Sequence, residues 1–150
     1  MKNLFDPAAT ADIIRRLDQL GPGNVRQWGT MSAPQALAHC SVGMELAMGT
    51  RSAPRLFIGR LIGGLIKGMV VRDDAPMRRN SPTAPVLVVA DERDFAVERE
   101  RLRALVTRFA AGGPGGCTTN PHAFFGRLTP EEWAVLLYKH LDHHLRQFAG

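Results

Sequence analysis

Four stretches of the chain begin with a helix-capping residue and continue with apolar side chains at helical spacing, which restricts the fold to packed helices. Asp6 followed by Pro7 starts a first helix that runs to Leu20, with Ile13, Ile14, Leu17 and Leu20 as its apolar stripe. Gly21-Pro22-Gly23 stops it. Ser32 and Gln35 form a capping-box pattern, predicting a second helix to about Met48. That helix carries one charge, Glu45, so it should be buried on most sides. A third helix is predicted from Asp91 to Ala111, with Phe95, Leu102, Leu105, Val106 and Phe109 recurring at helical spacing. Thr129, Pro130 and Glu132 open a fourth, which reaches about Phe148.

Residues 49–90 connect the second and third of these helices. A short helix is expected around Leu56 to Met69, loosened by Gly59, Gly63, Gly64 and Gly68. Arg72 to Pro85 is polar, and Val86-Leu87-Val88-Val89 reads as a brief strand or an extended packing segment. The expected fold is therefore all-α: one four-helix-bundle domain over residues 1–150, with a long crossover between helices two and three. A chain of 150 residues, 45% hydrophobic and 22% charged, suits one hydrophobic core. Its two cysteines, Cys40 and Cys117, cannot form a disulfide framework.

The first residues, Met1 to Pro7, lack the apolar region of a secretory signal, and the most apolar stretch, Arg55 to Val71, is too short to span a bilayer. These features predict a cytoplasmic protein without a membrane span. The net charge of +5 raises nucleic-acid binding as a reading. Against it, acids and bases alternate, as in Glu98-Arg99-Glu100-Arg101, which is the pattern of a solvated helix face; no nucleic-acid partner is expected. Arg60 and Lys67, on the apolar crossover, would suit a membrane-surface helix, a pocket lid or a contact between two copies in a homodimer.

The five histidines carry the chemical information. At about 100° per residue, His140 and His144 of the fourth helix fall in the arc of Trp133, Leu136, Leu137 and Leu141. Glu131, Asp142 and Arg146 fall opposite, with Lys139 towards a flank and His143 at the edge of the apolar arc. On the second helix, Gln35, His39, Val42, Gly43 and Leu46 share a face, and Gly43 leaves room beside His39. A single histidine on an apolar face is ordinarily a satisfied core residue. Two at i and i+4 lie about 6 Å apart and can reach one metal ion, and a third from a facing helix would complete the set with positions left open. His122, in the loop before the fourth helix, is a surface residue, a further ligand or a general acid/base. Cys40 reads as a buried apolar residue, and Cys117 as a loop thiol without an activating neighbour.

The stretches Met31-Ser32-Ala33-Pro34-Gln35-Ala36-Leu37-Ala38-His39-Cys40, Phe124-Phe125-Gly126-Arg127-Leu128-Thr129-Pro130-Glu131-Glu132-Trp133 and Tyr138 to Phe148 resemble the DinB-like superfamily. The resemblance covers nearly the whole chain and implies a four-helix bundle with a crossover after the second helix. It also implies a metal held by His39, His140 and His144. Characterised relatives in that superfamily include metal-dependent thiol transferases and isomerases. The resulting expectation is a metal-dependent enzyme, a transferase or hydrolase, that activates a low-molecular-weight thiol or water for a small-molecule substrate. Gln35 and His122 would assist. Zinc suits an all-imidazole site, with nickel, iron or manganese also compatible. The competing expectations are a non-enzymatic small-ligand-binding bundle without metal, and a basic interaction module.

Overall fold

A computed structural model describes residues 1–148. The described residues form five α-helices, with short 3-10 turns at Pro85–Leu87 and Pro114–Gly116 and no strand. The helices are α1 (Pro7–Gln19), α2 (Ala33–Met48), α3 (Phe57–Val70), α4 (Phe95–Gly112) and α5 (Pro130–Gln147). The chain is all-helical, and no described helix is long and apolar enough to cross a membrane.

Local chemistry sets most helix starts. The Asp6 carboxylate accepts from the Ala8 amide ahead of α1. Ser32 with Gln35, and Thr129 with Glu132, form complete capping boxes at α2 and α5. Gly49 ends α2 in the left-handed conformation, at φ 74°. The expected start of α4 at Asp91 is corrected by four residues. Asp94 is the cap, accepting from Val97 N–H, whereas Asp91 pairs with Arg93. Val86 to Val89 is no strand; its first residues belong to the 3-10 turn that begins at Pro85.

α1 and α2 each pack on both α4 and α5. Between them lies a core that includes Ile13, Leu17, Met44, Val106, Phe109 and Leu141. The segment between α2 and α4 lies along this body. Leu56 N–H donates to the Ala123 carbonyl, Gly59 and Gly63 sit against the Phe124 backbone, and Leu87 reaches α2. Contacts from α1 and from this segment correct the expected polar side of α5. Asp142 is 8% exposed and accepts from Arg16 at 2.8 Å and Arg146 at 2.8 Å. Lys139, 7% exposed, donates to the carbonyls of Val70 at 2.6 Å and Asp73 at 3.1 Å. Periodicity marks the face directed at the core, but chain that returns over the other face leaves no mark within the helix.

Candidate metal centre

His39 lies on α2 inside an unbroken buried run from Ala36 to Met44. It faces His140 and His144 on α5. The three rings stand edge to face, with centroids 4.7 Å apart for His39–His140, 4.7 Å for His39–His144 and 4.9 Å for His140–His144. One ligand atom from each lies within 4.8 Å of the others. The space beside Gly43 is taken by the His140 ring, since a Cβ added there would contact its Nδ1 at 3.4 Å.

Hydrogen bonds select the tautomers. His39 Nδ1 is 2.8 Å from the Leu87 carbonyl, which can only accept, so Nδ1 carries the proton and the lone pair sits on Nε2. Gln147 donates its Nε2 to the Trp28 carbonyl at 2.7 Å, which turns Oε1 towards His144. His144 Nδ1 therefore donates to Oε1 at 2.8 Å, and its Nε2 is also unprotonated when the ring is neutral. His39 Nε2 and His140 Nε2 are 2.7 Å apart, a hydrogen-bond distance in which His140 is the donor. Orienting a ligating imidazole through its second nitrogen is the usual support of a histidine metal site.

Burial is the first cause of the low basicity of all three rings. It depresses His39 against the opposing effect of the Leu87 bond. His140 is held well below its ordinary value by burial and then by the neighbouring imidazoles His39 and His144. His144 is lowered to about 3 by burial and then by His39. Neutral rings at pH 7 present lone pairs, as a metal requires. Tetrahedral zinc, with bonds of about 2.0–2.1 Å, holds its ligand atoms about 3.3 Å apart. That separation lies between the 2.7 Å of the closest pair and the 4.8 Å limit on the set. The spacing of the set is close to that of a divalent cation's ligands; His39 and His144 present Nε2 lone pairs to it, and His140 would join them once its proton moved from Nε2 to Nδ1.

Gln35 and His122 stand outside the trio, and His143 touches its edge, with its ring centroid 5.0 Å from that of His144. Gln35 accepts from Ser32 N–H at 2.9 Å and donates to the Asp91 carbonyl at 3.1 Å, so both ends of its amide are engaged at the helix start. His122 is outside the trio. Its Nδ1 accepts from the amides of Phe124 and Phe125, each at 3.1 Å, and burial followed by the Arg55 charge lowers its pKa to about 4. His143 is half-buried at the edge, where its Nε2 accepts from Trp28 Nε1 at 3.4 Å. Cys40 is buried and its thiol pKa is pushed up by burial; Cys117 is raised by burial and then by the Glu131 charge.

Leu87, Gln147 and Trp28 are the contributors that sequence reasoning missed. Gln147 stands three residues after His144, a spacing that helical geometry makes a contact, so this partner was open to discovery. The Leu87 carbonyl is a backbone group 48 residues from His39, and no sequence signal points to it.

No curated protein and no solved structure matches the chain. A family model described as a protein of unknown function, DUF1569, matches residues 4–150, a span that contains the three histidines and the groups that orient them. The chain belongs to the DUF1569 family.

Proposed function

We propose that this protein is a metal-dependent enzyme whose divalent cation, zinc by preference, is held by His39, His140 and His144. The observation that carries the reading is the selection of tautomers. The Leu87 carbonyl and the Gln147 amide oxygen turn two Nε2 lone pairs, of buried His39 and half-buried His144, into the space that His140 Nε2 also borders. Such an ion would supply Lewis acidity, lowering the pKa of a thiol or water at its open positions. The chain's own residues hold the neutral imidazoles in place, with His39 buried and His140 and His144 half-buried. The candidate ligand set among the described residues is three neutral imidazoles, and Asp142 next to them in sequence is paired with Arg16 and Arg146, so the set itself leaves the ion's positive charge to an anionic reactant. The reaction class that suits this arrangement is transfer or hydrolysis on a small molecule, with a low-molecular-weight thiol as one nucleophile. The packing of α1, α2, α4 and α5, with a long segment between α2 and α4, supports a four-helix bundle of the DinB-like kind with a crossover.

The 2.7 Å contact between His39 and His140 favours a second reading, in which the imidazoles satisfy one another in a metal-free binding bundle. Metal content and zinc titration of untagged protein separate the two. On the metal reading, purified protein carries about one equivalent of metal. His144→Ala and His144→Phe then lose tight zinc binding, by at least about 100-fold, because two ligands hold a divalent ion poorly. His143→Ala binds zinc as wild type does, and zinc raises the melting temperature of wild type but not of the His144 variants. Zinc-independent melting of every variant, with no metal in the purified protein, would leave the metal-free bundle.

A further inference from the structure

A cleft of about 240 Å³ opens between the end of α2, the chain just after it and the loop that leads into α5. Its polar lining comes from Arg51, Ser52, Asn120 and His122, and Trp133 forms part of the wall. On α2, Leu46 of the cleft is seven residues beyond His39; on α5, Trp133 is seven residues before His140. At 1.5 Å per residue the cleft therefore lies two turns, about 10 Å, from the histidine cluster along both helices.

The polar groups of this cleft are mainly donors. His122 accepts from two backbone amides through Nδ1, so the neutral ring carries its proton on Nε2, for which the described residues provide no partner. Arg51 gives its Nε to Glu45 at 3.0 Å, leaving its terminal nitrogens free for a ligand. The Ser52 hydroxyl and the Asn120 side-chain amide have no hydrogen-bond partner among the described residues, whereas the Asn120 backbone N–H donates to Thr118 Oγ1. Trp133 is almost wholly buried, and its indole N–H has no acceptor among the described residues. No acidic residue lines the cleft, and the nearby Glu45 is bound to Arg51 and Arg101. Leu46, Ala53, Pro121 and Ala123 complete it with apolar surface. A cleft lined by several donors and one guanidinium, with no carboxylate among its described lining residues, is matched by an anionic acceptor with a short apolar body.

We propose that this cleft is a binding site for a small organic carboxylate, with Arg51 and the His122 Nε2–H receiving the carboxylate and the apolar wall receiving the chain behind it. The proposal goes beyond the metal reading and holds whether or not the three histidines bind an ion.

The test uses the full chain, stripped of metal and then freed of chelator, so that no carboxylate can register through a bound cation. The Trp133 indole N–H resonance, distinguished from the other tryptophan by a Trp28→Phe variant, reports on the cleft. Acetate, butyrate and hexanoate are titrated beside acetamide, butyramide and hexanamide, and beside inorganic phosphate, at constant ionic strength. The expected result is a saturable shift with butyrate or hexanoate, at least tenfold tighter than with the matching amide. Arg51→Gln should reduce that preference to less than threefold while leaving the rest of the spectrum in place. Absence of a saturable shift, equal affinity for acid and amide, tighter binding of phosphate than of every carboxylate, or wild-type affinity in Arg51→Gln would each overturn the proposal. None of these outcomes bears on zinc binding at the histidines, so the two readings fail separately.

Discussion

α2 and α3 are both strongly apolar, yet α2 is buried without interruption from Ala36 to Met44 while α3 buries only Gly59 and Gly63. On α3, Phe57 is 76% exposed and Leu65 73% exposed. The difference comes from what each helix can approach. α2 lies against α4 and α5 and fills its surroundings with side chains. α3 meets the body most closely through two glycines pressed on the Phe124 backbone, an approach that leaves no room for a side chain there; Val70 packs on the core at the helix end, while Phe57, Leu61, Leu65 and Met69 stay outside. Hydropathy therefore measures how much a helix would gain by burial, and the shape of its partner decides which residues receive it. The polar groups follow the same division. Inside α2, Ser41 donates to the Leu37 carbonyl and His39 to that of Leu87, because a buried donor without an acceptor is costly.

The widest separation between the two helices should come from truncating one side chain in each. Met44→Ala, at a fully buried position, should cost about 2–5 kcal/mol in chemical denaturation. Leu65→Ala on the outer face of α3 should stay within about 0.5 kcal/mol of wild type. A Leu65→Ala cost close to that of Met44→Ala, with melting that depends on protein concentration, would mean that a second copy covers α3 in solution.

Acid should weaken the α2–α5 seam next, in metal-free protein. His39, His140 and His144 all have folded pKa values below the ordinary value near 6.5, with His144 at about 3. In the window between folded and unfolded values the unfolded chain binds more protons. The associated stability is present above pH 6.5 and is lost as the pH falls towards 3. Denaturation midpoints across this range should fall with pH, and less steeply in His144→Phe, which removes one of the groups. A profile unchanged by that substitution would place the acid sensitivity elsewhere.

A finer contrast lies within α3. A Cβ at Gly63 would collide with the Phe124 backbone, so Gly63→Ala should destabilise by about 1–3 kcal/mol. Gly64 has open space around it, and Gly64→Ala should stabilise by about 0.5–1 kcal/mol through helix propensity alone. Equal melting temperatures for the two variants would show that α3 is not held where its glycines meet the loop.

Helix starts were legible where the signal spans a few residues. Asp6 with Pro7, Ser32 with Gln35, and Thr129 with Glu132 each complete their hydrogen bonds within one turn. The start of α4 expected at Asp91 is too early, because an aspartate there has the same capping chemistry as Asp94, and only the Val97 amide that Asp94 receives marks the true cap. The inward placement of His140 and His144 followed from helical periodicity. The burial of Lys139 and Asp142 did not, because their partners come from Val70, Asp73 and Arg16, all remote in sequence.

By itself, then, the sequence determined the helices, the caps of α1, α2 and α5 and the two histidines one turn apart, since backbone hydrogen bonding and side-chain periodicity act over a few residues. Only the tertiary structure decided that His39 meets them, which nitrogen of His39 faces the cluster, and that a donor-lined cleft lies two turns away. Those outcomes depend on a carbonyl 48 residues from His39, and on loops brought together by packing, whose positions no local rule encodes.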